Sequence, residues 1–196
     1  MKNILKNRRA LSTVVTTLII LVVSVLLAGV VTYFAINVVS TRVQEESLNL
    51  QYQHVWFSTT DSKAEAAIMI TNTGGRDVVL QSIAVRGQTI PTADLFWFPV
   101  TTIADLKYVS QTTNISTSTL IPAAFQNAGN NLTFTATTTS ITLKSGSTIA
   151  VYLCAGTTPP FAPGSVTVND VGLTIAISVF SAQATYIKET NVNAAS

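Results

Sequence analysis

The sequence has few residues that could build a catalytic or metal site. It contains one cysteine and one histidine among 196 residues. A single thiol has no partner for a disulfide, and one cysteine with one histidine cannot supply the several ligands of a zinc site. The composition therefore excludes a disulfide-stabilised scaffold and a metal centre built from several Cys and His ligands of one chain.

Charge is also scarce. Lys, Arg, Asp and Glu make up 10% of the residues, compared with about 25% in ordinary soluble domains. The net charge of +2 is too small for a protein that binds nucleic acid by neutralising many phosphates, so we predict no nucleic-acid partner. The charge is uneven as well, because four of the 11 basic residues lie close to the N-terminus: Lys2, Lys6, Arg8 and Arg9.

No charged residue occurs between Arg9 and Arg42, and most residues of this run are aliphatic. About 20 apolar residues suffice for a helix that crosses the hydrocarbon core of a bilayer, and this run is longer. Its hydroxyl groups can bond to carbonyl oxygens one turn earlier in the same helix. These hydroxyls belong to Ser12, Thr13, Thr16, Thr17, Ser24 and Thr32. Because basic residues precede the run, the positive-inside tendency predicts one transmembrane helix with a cytoplasmic N-terminus and the remaining chain outside.

An apolar pattern with helical spacing continues past the first charges. It comprises Ile36, Val39, Val43 and Leu50, at steps of three, four and seven residues. We therefore predict a single helix over residues 11–51, about 60 Å long, which exceeds the thickness of one bilayer. The residues expected to pack against a partner helix are Leu18, Leu21, Val25, Ile36, Val39, Val43 and Leu50. A stripe that extends beyond the lipid favours polymerisation of identical subunits through this helix.

A processing site is expected ahead of the apolar run. Ordinary secretory signals are cleaved after the apolar region at an A-x-A-like site, and no such site follows this run. Instead, Arg8, Arg9 and Ala10 directly precede Leu11, which Ser-Thr-Val-Val follows. This arrangement resembles the class III leader of type IV prepilins, most closely the archaeal ones. The resemblance implies that residues 1–10 are a leader, which a membrane prepilin peptidase removes on the cytoplasmic side by cutting between Ala10 and Leu11.

One position narrows the resemblance to the archaeal members. Bacterial type IV pilins usually carry a glutamate at the fifth mature position, and this chain has Val15 there. The resemblance also implies an assembly ATPase and a polytopic membrane platform as partners. A plain N-terminal signal anchor, which would hold an external domain on the membrane, is the alternative interpretation of the same run.

Residues 52–196 are predicted to form an extracellular, all-β antiparallel sandwich. This part is rich in Thr and Ser and contains short runs of period-two alternation, separated by Gly, Pro and Asn. The predicted strands are Ala66–Ile70, Val78–Val85, Leu132–Thr137, Ile141–Leu143, Ile149–Leu153, Gly172–Phe180 and Ala184–Lys188. The last two are predicted to pair, and Lys144–Ser147 is predicted to be a hairpin loop. The predicted fold class is α+β, a long hydrophobic N-terminal helix followed by a β-sandwich.

Two phrases of this part, Asn72–Leu80 and Leu143–Ser147, resemble the immunoglobulin-like β-sandwich of archaeal pilins and archaellins. The most apolar piece of the middle region is Leu95–Pro99. It is interpreted as a core or edge strand, or alternatively as a subunit contact or adhesive patch, since aromatic residues concentrate in interfaces. Its last residue, Pro99, disfavours a central strand because proline donates no ladder hydrogen bond.

The sequence also predicts the state of four polar residues in the same part of the chain. We expect His54 to be packed or hydrogen-bonded rather than catalytic, and Cys154 to be a buried thiol. Two N-x-[ST] sequons, at Asn114 and Asn131, are N-glycosylation candidates because they lie in the part predicted to be external.

The sequence contains no arrangement of paired catalytic residues, no calcium loop and no phosphate-binding loop. We therefore predict that the chain is not an enzyme and uses no cofactor or metal. We predict instead a structural subunit of an extracellular archaeal type IV pilus-like filament, which serves adhesion or surface attachment and whose precursor is inserted in the membrane. Two alternatives remain open: an archaellin of a motility filament, and a membrane-anchored accessory or binding module that does not polymerise.

Overall fold

The computed structural model describes residues 2–43, 45–60, 62–101, 103–109, 134–136, 140–154 and 166–195. The chain divides into two compact units, Met1–Gln44 and Glu45–Ser196. The first unit is a single helix, α1, over Lys2–Val43. No proline interrupts it. Its many β-branched residues are compatible with a helix in lipid, because the backbone N–H and C=O groups must then be satisfied within the segment.

The second unit is a β domain with ten strands in its described residues. They are β1 (Leu48–Ser58), β2 (Lys63–Asn72), β3 (Val78–Val85), β4 (Gln88–Thr89), β5 (Leu95–Val100), β6 (Thr135–Ala136), β7 (Ile141–Leu143), β8 (Thr148–Cys154), β9 (Thr174–Ser181) and β10 (Thr185–Ala195). Short 3-10 turns lie at Thr92–Asp94 and Val168–Asp170.

The strands form one sheet that folds over itself into two layers. The strand order is β4-β3-β9-β10-β1-β2-β8-β5-β6, and β7 pairs with β3. Strand β10 joins the layers, because its first part, Thr185–Asn191, pairs antiparallel with β9 and its last part, Val192–Ala195, pairs parallel with β1. The layer of β1, β2, β8 and β5 therefore faces the layer of β3, β7 and β9.

Two apolar clusters stabilise the domain. The inner cluster lies between the layers and includes Ile68 and Val151 from one layer and Ile83 and Ile177 from the other. The second cluster lies on the opposite face of the first layer, where irregular chain covers it. Its strand residues include Trp56, Met69, Phe98 and Tyr152, and its covering residues include Leu106, Val109 and Phe134. Both clusters are filled by residues of the β domain itself.

Two β-bulges keep the apolar residues of their strands directed inward. In β1, Leu48 and Leu50 belong to the inner cluster; after the bulge, Val55 belongs to it as well and Phe57 packs against it. A regular strand would turn the second pair to the other face, because side chains alternate with period two. The extra residue restores the inward direction, and Tyr52 takes a left-handed φ of 50° in the bulge. A similar shift in β3 lies between Leu80 and Ser82.

The helix ends earlier than the sequence predicted. We expected it to reach residue 51, but α1 ends at Val43 and Leu50 lies in β1, buried in the inner cluster. The boundary between the units falls after Gln44 rather than after residue 51. The reason is that Leu48 and Leu50 also fit a strand pattern, and β1 pairs with β2 from Leu48 onward. Leu50 therefore fits the helical spacing only by coincidence, because the same position also fits the two-residue period of a strand.

Two predictions about strand pairing are corrected. Lys144–Ser147 does not close a hairpin, because β7 pairs with β3 whereas β8 pairs with β2 and β5. This segment instead carries the chain from one layer to the other. The sheet is also not purely antiparallel, since β1 and β10 are parallel.

Most predicted strands are confirmed. Strands β3 and β7 have the predicted bounds, β2 and β8 contain the predicted runs, and β9 pairs with β10 as expected. Of the predicted strand Leu132–Thr137, residues 134–136 are described, and Thr135–Ala136 form β6. The predicted class, a long hydrophobic N-terminal helix followed by a β domain, is confirmed, and the immunoglobulin resemblance stays a prediction.

Candidate functional site: the apolar helix and its connector

The helix presents its apolar side chains to the outside around its whole circumference. The run Leu11–Thr41 is 31 residues long and is long and apolar enough to cross a membrane, and none of its most apolar stretch is buried. The exposed fraction of its large apolar side chains ranges from 46% at Val22 to 69% at Leu11. The helix therefore offers a surface that water solvates poorly and that lipid or other apolar surfaces could cover.

The hydroxyl groups of the helix do not interrupt this surface. Thr16, Thr17, Ser24 and Thr32 each donate a hydrogen bond to a carbonyl oxygen three or four residues earlier, at 2.7–2.9 Å. This confirms the predicted back-bonding for these four residues. Thr41 makes the same contact with the carbonyl oxygen of Asn37. Because their hydrogen-bonding needs are met within the helix, these residues are compatible with an apolar surrounding.

Most of the predicted packing residues lie on one side of α1. At 3.6 residues per turn, Leu18, Leu21, Val25, Ile36 and Val39 fall within about 60° of one another around the helix axis. All five are exposed. Val43 continues this side as the last helical residue, but its side chain lies outside the described residues. The seventh predicted residue, Leu50, is not part of this surface because it is buried in the β domain.

Helical geometry adds two residues that the sequence analysis did not select. Gly29 and Thr32 fall on the same side as Leu18 and Val25, in the middle of α1. A Cβ atom added to Gly29 would meet no atom within 4 Å. This side of α1, which we call the Leu18–Val39 face, therefore has large side chains at both ends and a shallow depression near its centre. In the sequence, this depression becomes visible only when the residues are projected around the helix axis.

The expected processing site lies within the helical backbone. Residues Arg8, Arg9, Ala10 and Leu11 all belong to α1. The side chains of the first three lie outside the described residues, and Leu11 is exposed. Cleavage between Ala10 and Leu11 stays a prediction.

The chain enters the β domain through a closely fitted connector, Glu45–Ser47. The main-chain nitrogens of Thr73 and Gly74 both donate to the carbonyl oxygen of Ser47, at 2.9 and 3.1 Å. A Cβ atom at Gly74 would lie 2.7 Å from the carbonyl oxygen of Glu45 and 2.8 Å from the nitrogen of Ser47. Glycine is thus required at position 74, because any side chain would collide with the connector backbone.

The segments Asn72–Leu80 and Leu143–Ser147 meet beside this connector. The buried Asn72 side-chain amide donates to the carbonyl oxygens of Arg76 and Leu143, at 2.8 and 3.1 Å, and its Oδ1 accepts from the nitrogen of Gly74. The Ser145 hydroxyl donates to the carbonyl oxygen of Gly74 at 2.6 Å. The structure therefore joins the turn after β2, the turn after β7 and the connector into one hydrogen-bonded cluster.

The aromatic segment Leu95–Pro99 serves the domain core. It forms most of β5, in which Leu95 belongs to the inner cluster and Phe98 belongs to the second cluster. The ring centroids of Phe98 and Phe134 are 5.3 Å apart. Pro99 pairs with β8 only, because β6 pairs with β5 at Phe96 and Trp97 within the described residues. The interpretation as a core strand is confirmed, and Phe98 is buried rather than available to a partner.

The structure confirms that His54 is hydrogen-bonded and that Cys154 is buried. The imidazole Nε2 of His54 lies 2.7 Å from Oδ1 of Asp105, and its ring stacks on Trp56 with 5.1 Å between centroids. Cys154 is 2% exposed, and burial raises the pKa of its thiol well above the ordinary value. A thiol held protonated is a poor nucleophile.

A buried carboxylate was not anticipated from the sequence. Glu65 of β2 has no exposed surface, and its Oε1 accepts a hydrogen bond from the main-chain nitrogen of Val109 at 3.0 Å. It thereby holds the covering segment 103–109 on the second cluster. The signal in the sequence was an acidic residue within the otherwise apolar strand Ala64–Ile70.

The two predicted N-glycosylation sites are not among the residues that the structure describes. Asn114 and Asn131 lie outside the described residues. Among the described residues, no group of three or more His, Cys, Asp or Glu side chains could hold a metal ion.

Comparisons with known proteins identify no relative that assigns a function. No protein-family model and no curated protein sequence matches the chain. Among solved structures, the crystal structure of the ligand binding region of Serine-glutamate repeat protein A (SgrA) of Enterococcus faecium aligns with 78% of this chain and 99% of its own length. The sequence identity is 7% and the TM-score is 0.31. A similarity this low carries no argument about the present chain.

Proposed function

We propose that the chain is a structural subunit of an extracellular, archaeal type IV pilus-like filament. It is inserted in the membrane before assembly and polymerises through α1. The observation that carries the proposal is the uncharged run Leu11–Thr41, whose apolar side chains are exposed while the β domain fills both of its cores with its own residues. The helix surface is therefore free to pack against something outside the chain.

The hydrophobic effect keeps α1 covered both before and after assembly, because exposure of the helix to water is unfavourable. Association of lipid-covered helices is driven by van der Waals packing between them, since lipid is as apolar as the side chains. Burial of one Val or Leu side chain contributes about 1.5–3 kcal/mol, and α1 exposes more than a dozen such residues. Lipid covers them in the membrane-inserted form, and neighbouring helices cover them in the filament. A heterologous contact that repeats from subunit to subunit produces an open helical filament when its rotation does not close a ring, and the proposed filament requires a contact of this kind. The β domains then form its outer layer, where they serve adhesion or surface attachment.

The proposed partners follow from the prepilin resemblance at Arg8–Leu11. They are a prepilin peptidase that removes residues 1–10, an assembly ATPase, a polytopic membrane platform and identical subunits. The proposal includes no enzymatic activity, cofactor, metal or nucleic-acid partner for the chain itself.

Two measurements test the proposal together. Mass spectrometry of the protein recovered from cells should give a mature N-terminus at Leu11, and electron microscopy of sheared surface material should show filaments that contain it. A protein that retains Met1 and occurs in membranes only would contradict the proposal.

A non-polymerising membrane anchor is the second candidate, and one observation favours it. Because α1 ends at Val43 and Leu50 is buried in the β domain, the apolar stripe outside a bilayer is shorter than the sequence predicted. The anchor predicts the same membrane fractionation but no filaments. Electron microscopy therefore separates the two candidates.

A further inference from the structure

We propose that Tyr33 and Phe34 mark the outer boundary of the membrane, where their rings contact the lipid headgroup region. The hydrocarbon-spanning part of α1 is then Leu11–Phe34, and Ala35–Val43 forms a collar that stands outside the hydrocarbon. This inference rests on the membrane-inserted stage of the proposed function and does not require that the chain polymerise.

The first argument is the position of the aromatic residues. Tyr33 and Phe34 are the only aromatic residues before Tyr52. They are 66% and 62% exposed, and their rings meet edge to face with 6.1 Å between centroids. A tyrosine ring has an apolar body and a polar hydroxyl, so it is most stable where hydrocarbon meets water.

The second argument is the distance to the basic cluster. At 1.5 Å per residue, about 36 Å of helix separates Arg9 from Tyr33. The hydrocarbon core is about 30 Å thick, and arginine side chains extend toward the headgroups from a backbone near the boundary. One basic end and one aromatic end therefore match the two interfaces of a single bilayer.

Other positions of the membrane boundary fit less well. If the whole uncharged run lay in hydrocarbon, about 48 Å of helix between Arg9 and Thr41 would need a tilt of about 50°, beyond the 0–40° range of membrane helices. An outer boundary at Thr41 would also place the amide of Asn37 in hydrocarbon, where a polar side chain is unfavourable. With the boundary at Tyr33, Asn37 lies about 6 Å outside it.

The boundary has a consequence for the exposed residues of the collar. Ile36, Val38 and Val39 are all exposed on α1 and lie on the aqueous side of Tyr33. Lipid covers them least among the apolar residues of the helix. The collar is thus the part of the membrane-inserted chain that gains most from contact with protein.

Cysteine labelling tests the boundary, because the native thiol of Cys154 is 2% exposed and provides a silent background. The test pair is Ser24→Cys within the proposed span and Ser40→Cys in the collar, which is the same chemical change at two depths. Asn37→Cys refines the position. The full-length, unassembled chain is labelled with a membrane-impermeant maleimide in membranes opened by freezing and thawing, so that both faces are accessible.

We expect Ser40→Cys and Asn37→Cys to react at least ten-fold faster than Ser24→Cys, because a thiol in hydrocarbon does not ionise. A further variant, Tyr33→Leu with Phe34→Leu, should lower the labelling rate of Asn37→Cys at least three-fold, since the helix loses its interfacial anchor. The matched control Val30→Leu with Val31→Leu should leave that rate unchanged.

Carbonate extraction distinguishes the two ways in which the experiment can fail. If all three cysteines react slowly and the protein resists extraction, the helix is inserted but the boundary at Tyr33 is wrong. If all three react rapidly and carbonate releases the protein, the helix is not inserted, and the membrane stage of the proposed function fails as well. A labelling boundary that does not move in the Tyr33→Leu, Phe34→Leu variant would overturn the anchoring role of the two rings.

Discussion

The main-chain nitrogen of Gly74 donates a hydrogen bond to the carbonyl oxygen of Ser47 at 3.1 Å, and the position has no room for a side chain. The contact ties the turn after β2 to the segment through which the chain enters the β domain. The connector Glu45–Ser47 is therefore part of the domain and not a free linker.

Gly74→Ala should destabilise the β domain by about 1–3 kcal/mol, because the added methyl group overlaps two backbone atoms of the connector. Thermal unfolding of the full-length chain in detergent, followed by tryptophan fluorescence, measures the effect. The matched control is Gly29→Ala, where the same methyl group enters open space. Equal unfolding temperatures for the two variants would show that the connector yields without cost.

The left-handed backbone of Tyr52 allows a test of the bulge in β1. Tyr52→Val should cost about 1–3 kcal/mol, because a β-branched residue is strained at positive φ. Tyr52→Gly should be close to neutral, since glycine adopts this conformation freely and the tyrosine ring is partly exposed. Chemical denaturation of both variants measures the difference. If valine were tolerated as well as glycine, the bulge would not impose the left-handed conformation.

The strands of the β domain show which features of the structure the sequence predicts and which it does not. Strands such as Val78–Val85 were recognised because alternation and a following turn are local signals. The pairing of β7 with β3 was missed because pairing partners depend on contacts distant in sequence. The bulge at Tyr52 hid β1, since Leu48 and Val55 face the same side although their positions differ by seven, whereas a regular strand requires an even difference.

The candidate site was predicted unevenly for the same reason. The apolar run and its internal hydroxyl bonds depend on neighbours within one helical turn, and the structure confirms both. The end of the helix depends on competition between a helical stripe and pairing with β2, which Leu50 satisfies better as a strand residue. The need for glycine at position 74 arises from the close approach of Glu45, which no local pattern reveals.

Acid should destabilise the turn Val168–Asp170 through the carboxylate of Asp170. Hydrogen bonds from the nitrogen and hydroxyl of Thr167, at 2.8 Å each, lower the pKa of Asp170, and Arg86 at 3.0 Å lowers it further. A carboxylate with a lowered pKa in the folded state stabilises the fold above its unfolded pKa, near 3.9. This stabilisation is lost as the pH falls through the folded value.

The comparison of wild type with Asp170→Asn tests this pH dependence. The variant should unfold at a lower temperature at pH 7, and the two unfolding temperatures should converge as the pH falls below about 4. Differential scanning calorimetry between pH 7 and pH 2 measures both curves. Curves that stay parallel through this range would mean that Asp170 does not contribute to the acid sensitivity.

Alanine substitutions on opposite sides of α1 test whether the Leu18–Val39 face is the contact between subunits. Leu21→Ala with Val25→Ala removes bulk from this face, and Leu27→Ala with Val23→Ala makes the same change on the opposite side. All four side chains are exposed, so both double variants should insert in membranes equally well.

We expect the variant on the Leu18–Val39 face to lower the filament yield at least ten-fold and the variant on the opposite side to lower it much less. The reason is that an alanine substitution removes packing contacts only on the side of a helix that touches its partner. Quantitative electron microscopy of sheared material measures the yield, and membrane fractionation serves as the control for insertion. Equal losses in the two variants would mean that the helix packs without a preferred side, and a greater loss in the second would place the contact opposite to Leu18 and Val39.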